Sequence, residues 1–145
     1  MRGTRFGCLL LSLLISCSSH KQEVLSPRHI ETPNYPPLAR MARIMGKVNL
    51  TLTIDGDGNV KSAEATKDNS SYKAHPLLEA AAIENVRKWT FSKPSHVPIT
   101  QTIIYDYEFD EALPATSGYL IGKVYFDLPD RVTIVSNLPS IETSE

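Results

Sequence analysis

The spacing of apolar residues changes period several times along the chain, and each change marks an element. Leu38, Met41, Ala42 and Met45 recur at helical intervals directly after Pro36-Pro37, with Arg40 and Arg43 off the stripe and Gly46 as a ready stop. This predicts a short amphipathic helix. From Lys47 the period becomes two: Val48, Leu50, Leu52 and Ile54 alternate with Asn49, Thr51 and Thr53, the pattern of a strand with one buried face. Asp55-Gly56-Asp57-Gly58-Asn59 then predicts a tight reversal, because glycine and Asp/Asn tolerate positive φ. Val60 to Thr66 returns antiparallel, with Ala63 and Ala65 as inward candidates. After a polar loop, Pro76 opens a longer helix with Leu78, Ala82, Val86 and Trp89 on its apolar stripe. Phe91 and Pro94 end it. Ile99 to Phe109 predicts a long strand with Ile99, Ile103, Tyr105, Tyr107 and Phe109 on one face and Thr100, Thr102, Ile104, Asp106 and Glu108 on the other. Beyond a loop from Asp110 to Gly118, Tyr119 to Leu128 and Arg131 to Ser136 predict two further strands turned at Pro129-Asp130, and the residues from Asn137 carry no pattern.

Composition narrows the class. At 145 residues, 41% apolar and 21% charged, the chain suits one core of α+β type, and its 10 prolines fall at boundaries. The formal charge of −1, with no long basic run, argues against a nucleic-acid partner. The first sixteen residues stand apart. Arg2 and Arg5 form a positive start, and Phe6 to Ile15 form an apolar stretch only about 15 Å long as a helix, too short for a membrane span. Residues 1–16 are therefore expected to be a signal peptide, and without them 13 basic and 16 acidic residues remain, a net charge of −3. Ser18 to Thr32 has no helical or strand periodicity and reads as a tether.

Both cysteines, Cys8 and Cys17, lie in or beside the signal, so the exported body has no pair for a disulfide. Leu14-Ile15-Ser16-Cys17 resembles the lipobox of bacterial lipoproteins, which implies diacylation of Cys17 and a lipid anchor. An ordinary cleavage nearby, leaving Cys17 free, is the alternative. Ser18 after it implies sorting to the outer membrane of a Gram-negative envelope.

Tyr35-Pro36, Ala39, Gly46-Lys47-Val48, Asp55 with Gly58-Asn59-Val60, Ala82, Val86-Arg87-Lys88-Trp89-Thr90-Phe91 and Pro94 together resemble the C-terminal domain of TonB-family proteins, over about residues 33 to 109. The resemblance implies an αββαβ domain, two helices on a small antiparallel sheet; beside it, 17–32 is expected to be the lipid-anchored tether, and 110–145, which departs from the family by adding strand-forming sequence where its domain usually ends, a hairpin-like extension with two short strands and a frayed end. It also implies a periplasmic module that pairs by strand addition with an envelope protein such as a TonB-dependent outer-membrane transporter. By position the pairing strand is Ile99, Thr100, Gln101, Thr102, Ile103, Ile104 and Tyr105 and their continuation to Phe109. An unpaired edge supplies main-chain donors and acceptors, and side chains beside it supply selectivity. The same alternation also fits a purely structural third strand. Tyr35 and Pro36 resemble a motif near the transporter contact, although a Tyr before a helix-opening Pro also serves as a packing staple. Trp89 and Phe91 are expected in the core.

Transducers of that family are held by an uncleaved inner-membrane helix and a long Pro-rich spacer, whereas here a short signal and tether precede the domain. An adaptor is therefore expected, with an energy-transducing TonB component and a structural envelope lipoprotein as competing readings. The extension is expected to reverse beside Ile99 to Phe109 and cover that edge, or to pair across a two-fold axis and make a homodimer. Asp55, Asp57 and Asn59 imitate the start of a calcium loop, but Val60 and Thr66 stand where Gly and Glu are required, so a hairpin turn is expected instead. His20, His29, His75 and His96 lack paired metal spacing, and no GxSxG, P-loop or HExxH occurs. No catalytic activity, cofactor or metal is expected.

Overall fold

A computed structural model describes residues 23–66, 74–115 and 122–140. The elements in chain order are β1 (Pro27–His29), α1 (Pro37–Met41), β2 (Gly46–Ile54), β3 (Val60–Ala65), α2 (Pro76–Val86), β4 (Thr90–Phe91), β5 (Ile99–Phe109), β6 (Gly122–Asp127) and β7 (Arg131–Ser136). Five strands form one sheet in the order β3-β2-β5-β7-β6, and β1 pairs separately with β4. The α+β class stands, and the sheet is mixed because β5 and β7 run parallel.

Strict alternation in β2 aims Val48, Leu50, Leu52 and Ile54 at one face, and all four are fully buried. β2 pairs antiparallel with β5 from Gly46↔Tyr107 to Ile54↔Ile99, so the two longest strands form the centre of the sheet. The β2–β3 reversal is built as foreseen. The Asp55 carboxylate accepts from the N–H groups of Asp57 and Asn59, both at 2.9 Å, and the Asn59 N–H foremost holds that carboxyl below its ordinary pKa. Gly58 sits at φ +90°, where a Cβ would collide with the Phe91 carbonyl, so glycine is required twice over.

α2 lays Leu78, Ala82, Asn85 and Val86 on the sheet, and Trp89 follows directly after its end. His75 caps it by accepting from the Leu77 N–H. Asn85 is the polar member of this apolar face. Its Oδ1 accepts from Trp89 Nε1 at 3.1 Å and from the Tyr105 hydroxyl at 2.8 Å, while its Nδ2 donates to the Glu31 carbonyl at 3.0 Å.

Three expectations are corrected. Leu38, Met41 and Met45 are 66%, 70% and 62% exposed, while Ala39 and Arg40 turn inward. The helix is only five residues long, so its rotation is fixed by its anchors rather than by its own stripe. Those anchors are Tyr35, buried just before it with its hydroxyl on the Ile44 carbonyl, and Arg40, whose Nε donates to the Asn137 carbonyl. Gly46 does not end the helix either: Arg43, at φ 53°, takes the left-handed position first. The described part of the tether is also integrated. Leu25 is buried, its N–H donates to Gln101 Oε1, and β1 adds to β4. A three-residue strand is too short to show a period, which is why the sequence hid it.

The extension forms the expected hairpin, with β6 and β7 antiparallel, but it inserts its second strand. β7 lies beside β5 in parallel from Ile104↔Arg131 to Phe109↔Ser136, and β6 becomes the edge. Val132 and Ile134 fill core positions, whereas every β6 residue except Val124 is exposed. β7 carries two β-branched aliphatics, Val132 and Ile134, on its core side, which suits the interior position, whereas β6 carries charges at Lys123 and Asp127 on its outer face. Residues 119–121 and Cys17 lie outside the described residues.

Two predictions test this core. Trp89→Ala is expected to cost about 3–5 kcal/mol in denaturant titration, because a side chain 1% exposed and in ring contact with Phe91, Tyr105 and Phe126 leaves a cavity. The tyrosine pair Tyr105 and Tyr107 should split. Tyr107 is 1% exposed and its hydroxyl has no partner among the described residues, so Tyr107→Phe should leave stability unchanged or raise it by about 1 kcal/mol. Tyr105→Phe removes the bond to Asn85 and should lower stability by about 1 kcal/mol in the same titration.

Candidate functional site

The feature of the sheet that offers chemistry to a partner is the outer edge of β5. Its inner edge is fully engaged by β2. On its outer edge β7 pairs with Ile104 to Phe109, and among the described residues no strand is paired with Thr102 on that side. The Ile104 N–H donates to the Asp130 carbonyl at 2.9 Å, immediately before β7 begins. Main-chain groups of alternate residues point to the same side of a strand, so the N–H and C=O of Thr102 point past the start of β7. The part of β5 that precedes the start of β7, Ile99–Ile103, is about 17 Å long, the length of a short extended segment.

The side chains beside this edge have distinct roles. Ile99, Ile103 and Tyr105 are core residues, 3%, 2% and 0% exposed, and Gln101 holds the Leu25 N–H. Thr100 and Thr102 are exposed on the opposite face of the sheet. Among the residues expected to pair with a partner, Ile99 to Ile103 precede the start of β7, whereas Ile104 and Tyr105 already stand opposite Arg131 and Val132.

Tyr35 and Pro36 belong elsewhere. Tyr35 is 1% exposed, stacks on Phe109 at 5.0 Å and meets Tyr107 edge-on at 5.4 Å. Burial drives the pKa of its hydroxyl far above the ordinary tyrosine value. Its ring fastens the segment ahead of α1 to the core and presents no side chain outward, while Pro36 is half-buried at the entry to that helix.

Sequence reasoning missed a cleft of about 450 Å³ between Thr32–Tyr35 and the β6–β7 hairpin, walled by Val124, Phe126 and Ile134. Only the inserted order of β7 and β6 creates it, and the apolar alternation of the two strands carries no signal of that order. The lone polar residue on the apolar stripe of α2, Asn85, was the legible hint of the buried network that fixes Glu31 and, through it, one wall of this cleft. No helix among the described residues is long and apolar enough to cross a membrane.

The chain is 32% identical over 68 residues to a protein named Protein TonB from Xanthomonas campestris pv. campestris strain B100, and equally to its counterpart in strain ATCC 33913. The aligned segment is 47% of this chain and 29% of each relative, so the chain spans less than a third of the relatives' length. The family described as Gram-negative bacterial TonB protein C-terminal matches residues 31–110, from the segment before α1 to the residue after β5. With more than half of its length matched, this chain belongs to the TonB C-terminal domain family.

Proposed function

We propose that the chain is a non-catalytic binding module of the Gram-negative periplasm that takes an extended segment of an envelope protein, such as the periplasmic end of a TonB-dependent outer-membrane transporter, onto the open end of β5. The observation that carries this reading is the split edge: β7 pairs with Ile104–Phe109, and among the described residues no strand lies against the outward N–H and C=O of Thr102. A partner strand added there would gain its affinity from main-chain hydrogen bonds, with exposed Thr100 and Thr102 beside it as points of selectivity. Five residues limit the added strand to a short one, so the contact suits repeated engagement rather than permanent assembly.

The membership of residues 31–110 in the TonB C-terminal family supports an envelope setting, and Leu14-Ile15-Ser16-Cys17 supports attachment through a lipid on Cys17. The name of the Xanthomonas relatives favours one second reading, an energy-transducing component. The two readings differ at the N-terminus, and mass spectrometry of the membrane form distinguishes them. A chain beginning at a diacylated Cys17 is the expected result. Unmodified protein retaining Met1 in the inner membrane would instead establish the transducer reading.

Thr102→Pro tests the edge itself. Proline at this position removes an N–H directed away from β2, so the central ladder is kept while the open edge loses a donor. Binding of extended transporter-derived peptides, followed by fluorescence anisotropy, should weaken about tenfold or more, the equivalent of one or two lost hydrogen bonds. Unchanged affinity in a variant that retains its thermal transition would place the peptide elsewhere.

A further inference from the structure

We propose that two copies of this chain associate through β6, edge to edge, about a two-fold axis passing through Tyr125. This surface lies beyond residues 31–110 matched to the family, and its use is independent of peptide binding at β5.

β6 is an end strand of the five-stranded sheet, and its pairing with β7 runs without a register shift from Gly122↔Ser136 to Asp127↔Arg131. One side of it therefore presents a regular row of main-chain donors and acceptors. Natural edges of this kind are blunted by a proline, a bulge or charged side chains; β6 has no proline or bulge, and its two charges, Lys123 and Asp127, are of opposite sign. It instead exposes aromatic surface, Tyr125 at 55% and Phe126 at 41%.

The occupant follows from the order of its residues, Lys123-Val124-Tyr125-Phe126-Asp127. A two-fold axis perpendicular to a sheet pairs residues that share a face and lie equally far from the axis on either side. Centred on Tyr125, it sets Lys123 opposite the partner's Asp127 and Asp127 opposite the partner's Lys123. On the other face it sets Val124 opposite the partner's Phe126 and Phe126 opposite the partner's Val124. Both tyrosines meet on the axis. Charge, apolar and aromatic positions are thus all matched to their own kind of partner, and each opposite-charge or aromatic–aliphatic pair is favourable across strands. Moving the axis by one residue in either direction separates Lys123 from the partner's Asp127, so the register is selected as well as the mode.

The other edge strand lacks this property. In β3, Lys61 and Glu64 differ by an odd number of positions and lie on opposite faces, so no two-fold axis perpendicular to the sheet brings them together. β3 also packs against α2. Self-complementarity is specific to β6, and the pairing engages none of Ile99–Ile103.

Sedimentation equilibrium of the full chain in reductant, at concentrations of tens of micromolar, tests the proposal. The expected result is a reversible dimer. Lys123→Glu sets two acidic pairs face to face and Asp127→Lys two basic pairs, so each variant alone should dimerise about tenfold more weakly. An equimolar mixture of the two variants should recover association, because in the heterodimer both pairs again join opposite charges. Recovery on mixing distinguishes lost pairing from lost folding. A wild-type chain that stays monomeric would overturn the proposal. So would a dimer indifferent to both substitutions, or two folded variants that fail to associate when mixed.

Discussion

Within a core of aromatic and branched aliphatic side chains, the amide of Asn85 is the point on which the arrangement depends. Its two polar atoms engage Trp89, Tyr105 and the Glu31 carbonyl, which belong to the end of α2, the central strand β5 and the segment ahead of α1. A buried amide with several partners fixes direction as well as proximity, whereas apolar contacts tolerate sliding. Trp89 Nε1 also donates to the Glu31 carbonyl, so helix, sheet and entry segment share one small hydrogen-bonded cluster. With Glu31 fixed, Tyr35 four residues later reaches Phe109 and Tyr107 at the far end of β5. The position of α1, the cleft beside Thr32 and the path of the chain into β2 all follow from that attachment.

How much of this was legible depended on how much chain each element uses to express its period. β2 was readable residue by residue because it buries one face along nine positions, and alternation over that length has few other causes; β5 was readable along its apolar face, although Asp106 on the other face is buried as well, against Lys47 at 2.9 Å. α2 was readable for the same reason. α1 misled because in five residues an apolar stripe is a weak constraint, and Tyr35 and Arg40 outside the stripe determined which way it turned. β1 was invisible at three residues. The candidate site divided along the same line. The strand that carries it was evident, but the division of its edge at Ile104 is set by the parallel placement of β7, a long-range choice that local pattern does not encode.

That placement changes what the hairpin can do. A terminal strand laid over a binding edge is a removable cover only if leaving it exposes little. β7 contributes Val132 at 0% and Ile134 at 2% exposure, and Asn137 just after it receives the Arg40 Nε–H and donates to the Pro114 carbonyl. Each buried aliphatic is worth about 1.5–3 kcal/mol, and withdrawing the strand would also uncover an arginine that is 6% exposed. A short incoming segment gaining a few main-chain hydrogen bonds, each worth about 1 kcal/mol net, does not offset that loss. The extension expected to cover this edge is thus a hairpin built into the fold. It fixes where on β5 the parallel pairing begins, and it carries the sheet outward to β6, which among the described residues is its end strand.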